Sequence, residues 1–235
     1  MEYMENGSLN QLLSYVQLDL GMIKRIANDI SLGMNYLHEE KVLHRDLTSR
    51  NILLSEHLQA KVADFGLSRR YIEDNDLSYT MGSIAWMAPE VIADAKSFCK
   101  KSDVYSFGVV CWELFSRVSP CPPDLSNINL ANKVLNEEWR PMIPESVPLE
   151  WKSLIKECWY QKLEVRPSFS QILQILDSFQ VPQTTFDSYQ YGMVRRNSSL
   201  SSEDIEKSLA SHCLASQPVL NNRAASSGDL VNIHA

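Results

Sequence analysis

Two polar side chains in one short loop have the types and the spacing that phosphoryl transfer requires. Asp46 and Asn51 lie five positions apart, between the apolar runs Val42-Leu43 and Ile52-Leu53-Leu54. The two runs predict short β-strands, and a tight loop between them can turn both side chains toward a common point. A carboxylate there can accept a proton, and an amide oxygen can bind a metal ion. The stretch is therefore typical of a phosphotransfer loop.

A second carboxylate follows another apolar run. Asp64 ends the stretch Ala60-Lys61-Val62-Ala63, which predicts a strand, and Gly66 permits a sharp turn two positions later. Magnesium prefers hard oxygen ligands, and Asp64 supplies them together with the amide oxygen of Asn51. A third motif, Ala88-Pro89-Glu90, follows at a plausible distance. Any one of these short motifs could arise by chance, but the ordered set could not.

The three motifs together resemble the catalytic lobe of the eukaryotic protein-kinase family, as His44-Arg45-Asp46 with Asn51, Asp64-Phe65-Gly66 and Ala88-Pro89-Glu90. The resemblance covers residues 1–180 and implies an α+β, protein-kinase-like fold. Such a fold has a mainly α-helical C-lobe with short β-strands around the catalytic loop. It also implies ATP and Mg²⁺ as cofactors and a protein as substrate. Residues 181–235 are rich in serine and are predicted to be a disordered tail.

The resemblance implies a role for each residue of the candidate site. Asp46 orients the substrate hydroxyl and accepts its proton, while Asn51 and Asp64 bind magnesium. Leu53 forms the floor under adenine. The candidate catalytic set is completed by Arg45, Thr48 and Ser83. The residues that pack or support the site are His44, Phe65, Gly66, Glu90, Asp103 and Arg166.

Two contacts are expected to hold the site together. Asp103 stands in the first turn of a helix that is apolar on nearly all sides, so its buried carboxylate needs donors. In the family, the matching aspartate bonds the backbone near His44 and Arg45. Arg166 matches the family arginine that pairs with Glu90. Both contacts are predicted to give support rather than chemistry.

The first residues resemble the kinase hinge. On that interpretation the backbone at Glu2 and Met4 bonds the adenine edge, and Ser8 lies near the ribose. An ordinary turn around Asn6-Gly7 is the alternative.

Residues 68–87 form a long polar stretch that resembles the activation segment of the family. An upstream kinase could place a phosphate on Ser78, Tyr79 or Thr80, and the phosphate could then pair with Arg45 and order the loop. Solvated loop hydroxyls without a regulatory role are the alternative.

Two sequence features bear on the substrate class. Thr48 stands where the family usually has Lys in serine/threonine kinases and Ala or Arg in tyrosine kinases, so it fits neither. The run Gly82-Ser83-Ile84-Ala85-Trp86-Met87-Ala88-Pro89-Glu90 resembles the tyrosine-kinase-like group, most of whose members phosphorylate serine and threonine. Serine/threonine specificity is therefore favoured, with tyrosine or dual specificity as the alternative.

The sequence contains no glycine-rich G-x-G-x-x-G, no V-A-I-K lysine and no glutamate partner on a preceding helix. These parts belong to the N-terminal lobe, so we expect a truncated copy of an active kinase. Two alternatives are a non-catalytic lobe that binds a full kinase partner and an inactive fragment.

Helices are predicted from periodicity. Apolar residues recur every three or four positions from Gly21 to Glu39, and His38 in the last turn is expected at the surface. Ser102 is the expected N-cap of a buried helix that ends near Phe115. Shorter helices are predicted at 130–138 and 149–159, and a further helix that runs to Phe179 is predicted with Ser168 as its N-cap.

Composition limits the function classes. A hydrophobic content of 44% is enough for a core, and a formal charge of -7 argues against nucleic acid or an anionic membrane as partner. Five cysteines without a C-x-x-C pair suggest neither a zinc site nor a disulfide framework, so the cytoplasm is the expected compartment. The first residues do not show the charged-then-apolar pattern of a leader, and no apolar run reaches the roughly 18 residues of a membrane span, so a soluble protein is expected.

Overall fold

The computed structural model describes residues 4–64, 69–70 and 84–180, with the backbone alone at 69–70. Several predicted features lie outside these ranges. They are the hinge residue Glu2, the motif residues Phe65 and Gly66, the candidates Ser83, Ser78, Tyr79 and Thr80, and the tail at 181–235.

The described residues form a mainly helical structure with four short strands. The helices are α1 (Leu9–Tyr15), α2 (Leu20–Glu39), α3 (Pro89–Ala93), α4 (Lys100–Ser116), α5 (Asn127–Asn136), α6 (Leu149–Cys158) and α7 (Phe169–Ser178). The strands are β1 (Val42–Leu43), β2 (Ile52–Leu54), β3 (Ala60–Val62) and β4 (Arg69–Arg70). Single 3-10 turns occupy Ser49–Asn51, Ile84–Trp86, Ala95–Ser97 and Leu163–Val165. The predicted α+β class is confirmed.

Helix α4 is the centre of the core, because every residue from Ser102 to Leu114 is buried. The expectation that Ser102 caps this helix is wrong. Cys99 is the N-cap, and Ser102 lies three positions inside, where its hydroxyl accepts from the backbone N–H of Cys99 at 3.1 Å. Ser102 is buried and bonds inward to Glu90, so the first free N–H groups of the helix lie one turn earlier than predicted.

Helix α2 is amphipathic, as its periodicity predicts. Asp19 caps it by accepting from the backbone N–H of Met22 at 2.7 Å. Its apolar stripe, from Met22 to Met34, is at most 4% exposed and packs against α7 and β3. Burying each large aliphatic side chain contributes about 1.5–3 kcal/mol before the entropy cost, so this stripe fixes the face that α2 turns to the core. Ser168 caps α7 as predicted.

The strands form two separate antiparallel pairs, β1 with β4 and β2 with β3. In the second pair Ile52 lies opposite Val62, and Leu54 lies opposite Ala60. The segment from His44 to Asn51 thus connects a strand of one pair to a strand of the other. Its ends are held by two different pairs, and its turn is free to present side chains.

None of the helices within 4–64 and 84–180 combines the length and apolarity needed to cross a lipid bilayer.

Candidate active site

The amide of Asn51 is oriented by Asp46. The Nδ2 atom of Asn51 donates to the backbone carbonyl of Asp46 at 2.7 Å and to its carboxylate Oδ2 at 2.9 Å. Both N–H groups of the amide are therefore used within the loop, and the amide oxygen is the atom that is left to bind a cation. The two residues are brought together as the spacing predicts.

Asp64 is tied to the same loop through the residue before it. The N–H of Ala63 donates to the carbonyl of Asn51 at 2.8 Å, and the Nε2 atom of His44 lies 3.0 Å from the carbonyl of Ala63. Asp64 itself is exposed and has a left-handed backbone with φ of 61°. A non-glycine residue in this region costs free energy, and the pairing on both sides of Ala63 compensates for it.

This arrangement fits a magnesium ion that also binds phosphate oxygens. Across the part of the chain that the structure describes, no cluster of three or more His, Cys, Asp or Glu side chains could hold a metal alone. Magnesium usually takes one or two protein oxygen ligands and completes its shell with water and substrate phosphates. The side-chain oxygen atoms of Asn51 and Asp64 are of the type that could form such a partial ligand set.

Asp103 holds the start of the loop, as predicted. Its Oδ2 accepts from the backbone N–H of His44 at 3.0 Å, and its Oδ1 accepts from that of Arg45 at 3.0 Å. The carboxylate is fully buried, and Arg45 has a left-handed backbone with φ of 72°. The charge-assisted bonds stabilise this turn directly before Asp46.

The prediction that His38 lies at the surface is wrong. The side chain is 6% exposed, and its Nε2 lies 2.8 Å from Oδ2 of Asp103. Its ring packs edge-on against Phe169 at 5.1 Å. The reason is helix geometry, because His38 follows the buried Met34 by one turn and stays on the same face.

The predicted contact between Glu90 and Arg166 is present and bidentate. Two guanidinium nitrogens of Arg166 donate to the two carboxylate oxygens of Glu90, each at 2.8 Å. The same guanidinium donates to the carbonyls of Tyr160 and Lys101 and lies 5.1 Å from the ring centre of Tyr105. The pair thus joins α3 to α4 and to the segment that precedes α7.

The segment from Met4 to Ser8 contains the turn that we gave as the alternative to a hinge. The N–H of Gly7 donates to the carbonyl of Met4 at 3.1 Å, and Gly7 adopts a φ of 64°. Ser8 caps α1 and also forms a β-bridge to Leu53. The turn therefore runs beside Leu53, whose side chain is half-buried while its strand neighbours are fully buried.

Two further predicted residues flank Asp46. Thr48 is 1% exposed, and its hydroxyl makes no hydrogen bond to the residues that the structure describes. The guanidinium of Arg45 lies 5.7 Å from the ring centre of Phe98.

Sequence reasoning missed a second buried carboxylate at the loop. Glu113 of α4 is 2% exposed and accepts hydrogen bonds from Ser49 Oγ and from Trp86 Nε1, both at 2.7 Å. Burial raises the pKa of Glu113 to about 7, although these two hydrogen bonds, the Arg50 charge and a further bond from the backbone N–H of Ser49 oppose this rise. A signal was available, because Asp103, Ser106 and Glu113 are spaced by three and seven in a largely apolar helix, which places them on one face.

Comparison with protein families gives one match over most of the chain. The model described as protein tyrosine and serine/threonine kinase matches residues 1–176.

Individual relatives agree with this match. A probable serine/threonine-protein kinase of Dictyostelium discoideum is 38% identical over 178 residues, covering 75% of this chain and 19% of the relative. The serine/threonine/tyrosine-protein kinase HT1 of Arabidopsis thaliana is 39% identical over 181 residues, covering 76% and 46%. The dual specificity protein kinase pyk3 of Dictyostelium discoideum is 38% identical over 179 residues, covering 75% and 13%. The chain thus spans less than half of each of these relatives.

Proposed function

Because the chain belongs to the protein tyrosine and serine/threonine kinase family, we propose that it carries the catalytic lobe of an enzyme that transfers the ATP γ-phosphate to protein serine or threonine hydroxyls. The observation that carries this proposal is the pairing of Asn51 with Asp46, together with the anchoring of Ala63 to the same loop. These contacts support the proposal that the proton acceptor Asp46 and the metal ligands Asn51 and Asp64 act at one place.

In the proposed mechanism Asp46 orients the acceptor hydroxyl and takes its proton. Asn51 holds the Asp46 carboxylate with one end of its amide and offers the other end, with Asp64, to magnesium. A bound magnesium ion would neutralise charge on the phosphates. Little covalent work is needed from the protein, so positioning supplies most of the catalysis.

We further propose that the adenosine lies against the turn at residues 4–8. The half-buried Leu53 is available as the floor under adenine, and Ser8 lies beside it through the β-bridge. Of the two proposed hinge residues, Glu2 and Met4, only Met4 lies within the part of the chain that the structure describes.

Serine/threonine specificity and membership of the tyrosine-kinase-like group belong to the same proposal. The names of two of these three relatives include serine/threonine, one of them with tyrosine as well, and the third is called a dual specificity kinase. Thr48 differs from the lysine that is usual in serine/threonine kinases. A set of peptides that differ only in carrying Ser, Thr or Tyr as acceptor would separate the three specificities.

The proposal includes a kinase domain at 1–180, a tail at 181–235 and a cytoplasmic location. Free thiols at Cys99, Cys111, Cys121 and Cys158 support a reducing compartment. Phosphorylation of Ser78, Tyr79 or Thr80 by an upstream kinase remains part of the proposal as well.

The decisive test is Asp46→Asn in the native protein at its natural length. We expect transfer to a peptide acceptor to fall by about a thousandfold or more, because the proton acceptor is lost, while Mg-ATP binding and the melting temperature stay near wild type. The matched control is Asp124→Asn, at an exposed position away from the loop.

Retention of most of the wild-type rate by Asp46→Asn would refute Asp46 as the base. A folded wild-type protein that transfers no phosphate would refute the enzymatic proposal and favour a lobe that binds a full kinase partner.

A further inference from the structure

The turn before α1 is paired with the edge of β2. The N–H of Asn6 donates to the carbonyl of Leu54 at 3.1 Å, and the N–H of Leu54 donates to the carbonyl of Gly7 at 2.9 Å. Together with the antiparallel bridge between Ser8 and Leu53, these bonds add a short extended segment to β2. This backbone pairing reaches from the start of α1 back to Asn6.

The side chains of Glu5 and Asn6 carry the contact further, onto the β2–β3 turn at residues 55–59. The Nδ2 atom of Asn6 donates to the carbonyl of Ser55 at 2.7 Å and to that of Glu56 at 3.2 Å. The Oε2 atom of Glu5 accepts from the backbone N–H of Glu56 at 2.8 Å. In the register set by the bridge, Asn6 lies opposite Ser55 and Glu5 lies opposite Glu56. The two side chains therefore bond to the residues that would follow in the pairing.

Asn6 supplies the donors that this contact needs. A backbone carbonyl can only accept, and the amide of asparagine carries two N–H groups, so one half-buried side chain can serve both carbonyls. An aspartate has the same shape but offers only acceptor oxygens when it is ionised. The residue type at position 6 thus decides whether the β2–β3 turn is tied to the turn before α1.

The same contact determines where Met4 lies. Met4 is two positions before Asn6, and its carbonyl accepts from the N–H of Gly7 at 3.1 Å across the turn. Gly7 has a φ of 64°, and an added Cβ there would lie 2.5 Å from Oε1 of Gln11, so the turn requires glycine. With Asn6 bound to the β2–β3 turn, the backbone of Met4 is held at a set position relative to Leu53, the proposed floor under adenine.

We propose that Asn6 is a positioning residue for the adenine ring of ATP, which fixes the backbone of Met4 relative to Leu53. The inference rests on the proposed kinase function and deepens it, because it assigns a residue to the nucleotide subsite. A backbone group that recognises adenine makes its hydrogen bonds only at the right distance and angle. Without the Asn6 amide, the segment before the turn loses its link to the β2–β3 turn, and the nucleotide must order that segment on binding.

The test uses substitutions in the native protein at its natural length. Asn6→Ala removes both donors, whereas Asn6→Asp keeps the size of the side chain and places a carboxylate against two carbonyl oxygens. Glu5→Ala removes the bond to Glu56 from an exposed position. Asn132→Ala is the matched control, since Asn132 is exposed on α5.

We expect Asn6→Ala and Asn6→Asp to raise the KM for Mg-ATP by about fivefold or more, with kcat for a peptide acceptor within about twofold of wild type. Adenosine and Mg-tripolyphosphate serve as competitive inhibitors, because they carry the two parts of the nucleotide separately. The inhibition constant of adenosine is expected to rise as KM does, and that of Mg-tripolyphosphate to stay within about twofold of wild type. Asn132→Ala should match wild type throughout. A residue that only stabilised the fold would change both inhibition constants together, in step with the melting temperatures.

Two results would overturn the inference: a folded Asn6 variant with wild-type KM for Mg-ATP, or equal losses of affinity for adenosine and Mg-tripolyphosphate. If neither Asn6 variant folds, Glu5→Ala provides the test, with an expected rise of about twofold or more in the inhibition constant of adenosine and an unchanged constant as the refuting result. Absence of transfer in the wild type would refute the proposed function itself, whereas normal transfer with an unchanged KM in the Asn6 variants refutes only the role of Asn6.

Discussion

The two ends of the loop from His44 to Asn51 are held by two carboxylates of the same helix, but by different kinds of contact. Asp103 accepts from the backbone N–H groups of His44 and Arg45, and Glu113 accepts from the side chains of Ser49 and Trp86. Every residue except proline has a backbone N–H, whereas a hydroxyl and an indole N–H belong to particular residues. The start of the loop is therefore held through groups that almost any residue supplies, whereas its end depends mainly on two side chains, with a smaller contribution from the backbone N–H of Ser49.

The comparison predicts that losing Asp103 has the larger effect on stability. Asp103→Ala leaves two backbone N–H groups and His38 without their buried acceptor, and each unsatisfied group costs about 1–3 kcal/mol. We expect a loss of about 3–5 kcal/mol in the free energy of unfolding, measured by urea denaturation followed by circular dichroism.

Asp124→Ala is the matched control for this substitution, because Asp124 is exposed. If Asp103→Ala loses no more unfolding free energy than the control, the expected difference in stability between the two ends of the loop is contradicted.

The next largest effect is expected in the pH dependence of the unfolding free energy, to which Glu113 contributes. Its folded pKa of about 7 lies above the ordinary value of 4.5, so the folded protein binds an extra proton between these values. Stability then falls as pH rises through this window, by an amount on the order of 3 kcal/mol for a fully buried group. The contribution is fully present below the ordinary value and is lost above about pH 7.

We expect Glu113→Gln to flatten the fall in unfolding free energy between roughly pH 5 and pH 8. The control is Glu137→Gln, which is expected to leave it unchanged because the Glu137 side chain, directly after α5, is 60% exposed. Denaturation curves across that range measure the effect. Parallel pH profiles for wild type and Glu113→Gln would show that Glu113 does not titrate in this window.

The smallest effect is expected from the donor at the end of the loop. Ser49→Ala removes one of the two side-chain hydrogen bonds to Glu113 and should cost about 1–2 kcal/mol at roughly pH 8, where the carboxylate is charged. The cost should be smaller at roughly pH 5, because a hydrogen bond to the neutral acid is weaker. Ser153→Ala, at an exposed position of α6, is the control. An equal cost at both pH values would contradict the assignment of a charged acceptor.

The local parts of the site could be predicted from the sequence. Asp46 and Asn51 are five positions apart in a loop between apolar runs, so their proximity is a short-range property, and the structure joins them at 2.9 Å. The stripe on α2 and the buried character of α4 also followed from periodicity, which reports the face that a helix turns to the core. The contacts of Asp103 and Arg166 were reached by resemblance to a family and not by periodicity.

The tertiary structure alone decided which polar groups meet across the core. Glu113 lies 64 positions from Ser49 and 27 from Trp86, and His38 lies 65 from Asp103. Hydrophobic spacing determines that such a residue faces inward, but carries no information about the partner on another element. Partners are selected when packing brings the elements together and each buried donor must find an acceptor. The sequence thus determined the family and most of the longer helices and predicted the chemistry of the loop, and the packed fold determined how α4 holds that loop at both ends.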